Sequence, residues 1–211
     1  KMELDGILVI GISDVERDGG QKTVPARNTG IKPGVVITAV NGKTIKKIYE
    51  LIEAIDQSQG KPIKISYIEG NAKKETTITP VLSSEDRKYH IGLWVRDSTA
   101  GIGTLTFYDK DTRLFGALGH GITDIDTGTL MKVGYGEILE SSVLGVKSGR
   151  SGEPGELKGI FSDGTRLGMI ELNCETGIYG KLDEAVLDKI GGKLYPVGVR
   201  ADIKEGKATI L

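Results

Sequence analysis

The chain has 211 residues, and its 28 Lys and Arg against 29 Asp and Glu give a formal net charge of −1. This balance and an aromatic content of 5% argue against a nucleic-acid binder, which needs basic and base-stacking surfaces. The single cysteine, Cys174, excludes an intramolecular disulfide and a cysteine-based metal site. No apolar run approaches the roughly 18 residues of a membrane-spanning helix. Glycine supplies 31 residues, about twice the usual share of roughly 7%, which favours tight turns between short strands.

The first elements of the chain are predicted to be short strands and turns. Residues 6–11 are an apolar run that predicts a strand, and residues 13–22 are polar and glycine-rich, which predicts a loop. Residues 35–40 predict a buried strand, and Asn41-Gly42 predicts a tight turn directly after it. The chain begins at the edge of the first strand, so we expect it to be a trimmed piece of a longer protein.

One helix and a hairpin are predicted next. Isoleucines at positions 45, 48, 52 and 55 recur at helical spacing, with Thr44 as the N-cap and Gln59-Gly60 as the end. Residues 63–67 alternate between apolar and polar side chains, and residues 76–82 return as the partner strand. We therefore predict a small domain over residues 1–82.

The remainder of the chain predicts a second, β-rich domain. Residues 83–89 begin with a wholly polar run and are interpreted as a linker. Residues 90–211 contain many short strand-like segments with Asp, Gly and Thr between them, and only residues 182–190 look helical. This pattern favours a barrel or a sandwich, and the predicted fold class is mainly β.

The stretch from Val24 to Ile45 resembles the core of bacterial PDZ domains. Ten positions carry the resemblance: Pro25, Ala26, Gly30, Ile31, Lys32, Gly34, Ile37, Val40, Asn41 and Gly42. Thr29 and Val35 depart from the usual Ala and Asp. The resemblance implies a groove in which an extended peptide adds to an open strand edge.

By the same resemblance, specific residues would form that groove. Leu4, Asp5, Gly6 and Ile7 would be the loop that holds a terminal carboxylate, and Ile7 to Gly11, with Leu8 and Val9, would be the open edge. The helix of residues 45–55, with Ile48 and Ile52, would be the other wall. The alternative interpretation is that these apolar residues are core. Because Asp5 would repel a peptide terminus, an internal peptide segment is the expected ligand.

Two histidines are candidates for a general base, the usual role of histidine near neutral pH. His90 follows the polar linker and is interpreted as a structural or exposed residue at a strand edge. His120 follows an apolar strand and lies between Gly119 and Gly121, which let backbone and substrate approach closely. On the residues alone, a loop histidine without catalytic function is the commoner case.

Longer motifs give a resemblance over the whole chain. The segment STAGIGTLTFYDKDTRLFGALGHGITDIDTG (98–128), the loop SGRSGEPGE (148–156) and ETGIYGKL (175–182) resemble the SpoIVB peptidase family, the stage IV sporulation proteases of spore-forming Firmicutes. The resemblance implies a PDZ domain followed by a trypsin-like, β-barrel-type serine peptidase domain, truncated at its C-terminus. His120 would be the catalytic base, and the family's serine and aspartate motifs do not occur in this chain.

The resemblance also implies a biological setting. The protein would be a signalling endopeptidase that cleaves itself and membrane-associated sporulation proteins, which triggers activation of a late sigma factor. It would be secreted or membrane-anchored, through a segment preceding residue 1, between the forespore and mother-cell membranes. Its partners would be peptide and protein substrates, PDZ ligands and a regulatory inhibitor protein. No metal, cofactor or nucleic acid is expected.

Two alternatives to this function remain. The chain could be a non-catalytic peptide-binding module, or an active protease that uses Ser151, since residues 149–154 spell G-x-S-G-x-P. Against Ser151 stand the acidic Glu153 next to the Ser-Gly pair and the gap of only about 30 residues from His120, too short for a second barrel. Asp124 and Asp126 form D-x-D-x-G, which lacks the later ligands of a calcium loop, and we expect them to cap turns.

Overall fold

The computed structural model describes residues 1–152 and 155–207 and is mainly β, which confirms the predicted class. One α-helix, α1 (Ile48–Ser58), and two short 3₁₀ turns (Glu184–Val186 and Arg200–Asp202) accompany the strands. The strands are β1 (Met2–Ile12), β2 (Val15–Glu16), β3 (Lys22–Thr23), β4 (Val36–Val40), β5 (Lys43–Thr44), β6 (Ile63–Glu69), β7 (Ala72–Ile78), β8 (Val81–Leu82), β9 (Tyr89–His90), β10 (Leu93–Thr99), β11 (Phe107–Tyr108), β12 (Leu114–Leu118), β13 (Val133–Lys147), β14 (Glu156–Cys174) and β15 (Gly177–Leu182).

β1 is the strand on which the two halves of the chain meet. Along one edge it pairs antiparallel with β10, from Met2 opposite Thr99 to Ile12 opposite Leu93. The other edge is shared: residues 2–4 pair with β13, and Ile7 and Leu8 pair with β4. The change of partner falls at Gly6, whose φ of +140° suits glycine. Both edges of β1 are therefore occupied.

β1 is also buried on both faces. Ile7 and Val9 belong to a core cluster with Leu51 and Ile55 of α1. Leu4 and Leu8 point to the opposite face, where they meet Met2 and Met131 in a second cluster. When a strand is buried on both faces, its sequence is a continuous apolar run and does not alternate between apolar and polar residues. This explains why the segment from Ile7 to Ile10 carries no polar residue.

The large sheet is open. Its strands follow the order β11-β12-β15-β14-β13-β1-β4-β6-β7, with β10 and β5 attached to β1 and β4. Among the described residues the two ends of this path, β11 and β7, do not pair, so the expected barrel is not closed. A physical cause is that β1 pairs with three strands, β4, β10 and β13. These partners widen the sheet at β1 and do not close it into a barrel.

The helix begins later than the sequence predicts. Thr44, the predicted N-cap, lies in β5 opposite Ala39, because the turn at Asn41-Gly42 makes a two-residue hairpin with both φ angles positive. Lys47 is the N-cap, and α1 starts at Ile48. The end is as predicted: Gln59 takes a left-handed φ of 48°.

The residues predicted to be a linker are an ordered hairpin. β8 and β9 pair across residues 83–88, with the N–H of Ser83 donating to the carbonyl of Lys88 at 2.8 Å. Ser83 is buried, and Arg87 forms an ion pair with Asp18 of the preceding half. Short polar side chains that bond to nearby backbone turn the chain tightly, which explains why this polar run does not act as a spacer.

The predicted elements at the end of the chain are also shorter in the structure. The expected helix over residues 182–190 is reduced to the 3₁₀ turn at Glu184–Val186, where Leu182 and Val186 cover Phe115. Residues 194–199, one of the strand-like segments of the second half, form no strand, and their side chains are exposed. Within the described part of the chain, no helix is both long and apolar enough to cross a bilayer.

Candidate functional site: the His120 loop and the β1 edge

His120 lies on an exposed turn directly after β12. Gly119 has a φ of +144°, and its N–H donates to the carbonyl of Thr176 at 3.3 Å. At Gly121 a Cβ would stand 2.4 Å from the carbonyl oxygen of Cys174, so only glycine fits. The two glycines therefore bring His120 against the turn between β14 and β15, as the sequence interpretation of close backbone approach requires.

One ring nitrogen of His120 is engaged and the other is available. Nδ1 lies 2.9 Å from the carbonyl oxygen of Gly121. A carbonyl oxygen only accepts, so the hydrogen bond requires the proton on Nδ1. In the neutral ring, Nε2 then carries the lone pair, which is the form that a general base needs. Within residues 1–152 and 155–207, this is the ring's single hydrogen bond.

An acidic residue holds the loop that follows His120. Asp124 is 1% exposed, and its Oδ1 accepts from the N–H groups of Asp126 and Thr127. This confirms the prediction that it caps a turn. Its Oδ2 lies 2.6 Å from a guanidinium nitrogen of Arg96 on β10, and Asp126 adds a 3.1 Å contact to the same side chain. Neither aspartate is hydrogen-bonded to His120 in the described structure, so neither orients the ring.

Asn173 is a second anchor of this loop, and the sequence interpretation missed it. Its Oδ1 accepts from the N–H of Ile122 at 2.7 Å, and its Nδ2 donates to the carbonyls of Ile122 and Met131, both at 2.8 Å. A buried amide with all these partners stabilises two segments at once. The only signal in the sequence was a single Asn near the end of an apolar run, and this does not indicate which backbone groups the side chain binds.

Ser151 is remote from His120 along the sheet. It lies in the exposed turn that joins β13 to β14, beyond the last paired residues, Lys147 and Glu156. Gly121, next to His120, lies against Cys174 at the opposite end of β14. The 19 residues of β14 rise about 3.3 Å each, or about 60 Å along the strand. The structure does not bring this serine to the histidine, and Glu153 and Pro154 of the motif fall outside the described residues.

The residues predicted for the peptide groove separate into core and wall. Ile7 and Val9 are fully buried in the first cluster, and Leu4 and Leu8 lie in the second, so these four follow the alternative core interpretation. Residues 4–7, predicted to be a loop, lie within β1. The physical reason is that β13 pairs with residues 2–4 and extends the strand backwards. The edge predicted to be open is paired with β10.

The remaining predicted groove residues have other surroundings. Asp5 is exposed and forms an ion pair with Lys46 at 2.6 Å, so its charge is compensated. Gly6 fits tightly against β4, where a Cβ would lie 2.7 Å from the carbonyl oxygen of Ile37. Ile48 and Ile52 line a groove of about 710 Å³ between α1 and the segments 13–16 and 88–95. Ile48 and Ile52 therefore line a groove beside α1, and their role in peptide binding stays a prediction.

The cysteine thiol is the remaining reactive group near the His120 loop. Hydrogen bonds from the side chain and the backbone N–H of Thr176 lower the pKa of Cys174 from its usual range. Its Sγ lies 3.3 Å from the hydroxyl of Thr176. No group of three or more His, Cys, Asp or Glu side chains in the described residues is arranged to hold a metal ion.

The chain is similar to a peptidase family and to solved domains of Listeria proteins. The family model described as SpoIVB peptidase S55 matches residues 87–211, which is more than half of the chain. The PDZ domain of an SdrC-like protein from Listeria monocytogenes is 25% identical, with a TM-score of 0.35 over 45% of this chain and 92% of that one. The PDZ domain of the SdrC-like protein from Listeria innocua is 27% identical, with a TM-score of 0.36 over 45% and 98%. The second domain of a Listeria protein, solved in solution, is 28% identical, with a TM-score of 0.35 over 46% and 89%.

Proposed function

The chain belongs to the SpoIVB peptidase family, and from this premise we propose that it is part of a serine endopeptidase in which His120 is the general base. The observation that supports this role is the single hydrogen bond from Nδ1 to the carbonyl of Gly121. In the neutral ring it keeps the lone pair on Nε2, and the side chain lies on an exposed turn. A nucleophile brought to Nε2 would lose its proton to the ring and attack the scissile carbonyl.

The serine that His120 would activate is proposed to come from outside residues 1–211. The described residues place no serine hydroxyl in hydrogen-bond contact with the ring, and Ser151 lies at the far end of β14. The carbonyl of Gly121 occupies the position at Nδ1 that a carboxylate fills in a triad. An aspartate supplied with the serine would replace this carbonyl as the orienting group.

The proposed biological role is signalling during sporulation. The enzyme would cleave itself and membrane-associated partner proteins, and thereby trigger activation of a late sigma factor. It would act outside the cytoplasm, secreted or anchored between the forespore and mother-cell membranes. The first half would serve as a PDZ-type peptide-binding domain that recruits substrates or a regulatory inhibitor. Its support is the groove between α1 and β10, which Ile48 and Ile52 line.

The test of the catalytic role replaces each histidine in the natural full-length protein. His120→Ala is expected to lower kcat/KM on a peptide substrate by at least about 10²–10⁴-fold, the usual contribution of a general base. Because the side chain is exposed, the melting temperature should stay within about 1–2 °C of wild type. His90→Ala is the comparison variant. His90 contacts Asp86 in the turn between β8 and β9 and borders the groove, so its turnover of a short peptide that does not bind the groove should stay at the wild-type level. Wild-type turnover by His120→Ala would refute the assignment.

A second function, peptide binding without catalysis by residues 1–211 alone, is favoured by the separation of Ser151 from His120. A fluorophosphonate probe, which labels activated serines, should leave this chain unlabelled. Labelling that disappears in Ser151→Ala would instead restore Ser151 as a nucleophile.

A further inference from the structure

The edge of β1 on the side of α1 is already paired with a segment of the same chain, β10. β10 runs antiparallel to β1, with Val95 opposite Val9 and Leu93 opposite Ile12. Leu93 and Val95 pack on the cluster that includes Leu51 and Ile55 of α1. An extended segment between a strand edge and a helix is the arrangement of a peptide bound by β-augmentation. β10 therefore lies where an added peptide strand would lie.

β10 also supplies a group that the helix lacks. The side chain of Lys47, the N-cap residue, makes no capping hydrogen bond, and Glu50 accepts only from the N–H groups of Lys46 and Lys47 that precede the helix. The N–H of Ile48 instead donates to Oδ2 of Asp97 at 2.9 Å. Side chains of alternate residues share one face of a strand, so Leu93, Val95 and Asp97 point to the helix side together. The side chains of β10 that face α1 therefore follow the pattern aliphatic-x-aliphatic-x-acidic, in which x is any residue.

The intervening side chain connects the groove to the His120 loop. Arg96 lies on the opposite face of β10 and binds the buried carboxylate of Asp124 at 2.6 Å. Asp124 in turn fixes the backbone at residues 126 and 127. Any segment that displaces β10 from β1 must break this ion pair. The position of β10 and the order of the loop after His120 are therefore coupled.

Among the described residues, β10 has fewer strand neighbours than β4 or β13, the other strands that pair with β1. Within the described residues it pairs with β1 alone, so its other edge faces no strand. β4, by contrast, is held by β1, β5 and β6. Trp94 of β10 is 64% exposed, which means that the outer face of the segment is only partly covered. A peptide strand that replaced β10 would form the same backbone hydrogen bonds with β1 that β10 loses.

We propose that β10 is an internal ligand that occupies the position of a bound peptide between β1 and α1. The external ligand is an extended peptide with the pattern aliphatic-x-aliphatic-x-acidic, and its binding releases β10 and frees Arg96 from Asp124. This proposal rests on the proposed peptide-binding function of the first half and gives that site its ligand class and its regulation. The apparent affinity is reduced by the fraction of molecules in which β10 is displaced.

A reversible covalent lock tests the proposal on a single protein. A Cβ added at Gly11 would lie 3.5 Å from the Cβ of Trp94, which is within the range of a disulfide. The variant Gly11→Cys/Trp94→Cys, in a Cys174→Ser background, can thus be oxidised to hold β10 on β1 and reduced to release it. The probe is a fluorescein-labelled peptide, IGLWVRDST, with the sequence of residues 91–99. Binding is followed by fluorescence anisotropy, and the disulfide is verified by intact mass.

The reduced protein should bind the peptide at least about tenfold more tightly than the oxidised protein. In the chain without added cysteines, Asp97→Ala removes the cap that β10 gives α1, and we expect affinity to rise about fivefold. A peptide with Lys at the position of Val95 should bind neither form. Equal affinity of the oxidised and reduced forms would overturn the internal-ligand proposal while leaving the groove as a peptide site. Absence of binding to both forms would overturn the groove as well, and neither result would affect the His120→Ala test.

Discussion

Asp124→Ala should be among the most damaging single changes near the candidate site. The carboxylate is fully buried, accepts three hydrogen bonds at Oδ1 and pairs with Arg96 at Oδ2. Alanine would leave two backbone N–H groups without their acceptor and the guanidinium without its counter-ion. The turn after His120 would lose its cap, and β10 would lose its attachment to the loop.

The magnitude follows from the burial of each partner. Removal of one member of a buried ion pair costs about 3–5 kcal/mol when the remaining charge stays buried. Arg96 is 32% exposed and can turn toward water, so the lower end applies, about 3 kcal/mol. Asp126 contacts the same guanidinium but is 46% exposed, and Asp126→Ala should cost at most about 1 kcal/mol.

Urea unfolding at pH 7, monitored by far-ultraviolet circular dichroism, measures both variants. Amide hydrogen exchange over residues 119–131 gives a second, local readout. Exchange there should accelerate in Asp124→Ala and remain close to wild type in Asp126→Ala. If the two variants lose the same stability, or if Asp124→Ala costs less than about 0.5 kcal/mol, the coupling through Arg96 is wrong.

Three further changes test the packing of the fold. Phe115→Ala should destabilise the chain by about 3–5 kcal/mol, because the ring is 2% exposed, and half-exposed Phe107→Ala should cost much less in the same urea titration. Gly6→Ala should cost about 2 kcal/mol or more, since its φ is +140° and a Cβ would meet the carbonyl of Ile37 at 2.7 Å, and thermal unfolding would measure the loss. Hydrogen bonds from Lys32 and Lys74 lower the pKa of Glu69 to about 2 from 4.5, so its contribution to stability is complete above pH 4.5 and is lost as the pH falls toward 2. Glu69→Gln should therefore flatten the melting temperature against pH across that window, and an unchanged slope would contradict the assignment.

Patterns in short stretches of sequence correctly predicted those elements that depend only on neighbouring residues. The turn at Asn41-Gly42, the helix end at Gln59 and the strand near residues 6–11 follow from turn chemistry and apolar runs, and the structure confirms them. The start of α1 was misplaced, because Thr44 pairs with Ala39 in a hairpin and the N–H of Ile48 is bound by Asp97, 49 residues away in the sequence. Periodicity carries no information about such a partner.

The candidate site was predictable only in part for the same reason. The glycines beside His120 signalled close backbone approach, and Asp124 signalled a turn cap. The partners that fix this loop, Arg96 and Asn173, are distant in sequence and lie in strands whose pairing is a property of the whole sheet. The open edge expected at β1 was filled because β10, assigned to the second half by its position in the chain, completes the first.

The order of β1 and its partner strands along the chain has a consequence for synthesis. β10 follows β1 by about 80 residues, and β13 follows it by more than 120 residues. At about 5–20 residues per second, the strand waits roughly 4–16 s for β10 and longer for β13. During this interval the N-terminal half has its own helix and β4, but the edge of β1 is bare. A nascent chain of this protein is thus receptive to an external strand before it can cover itself.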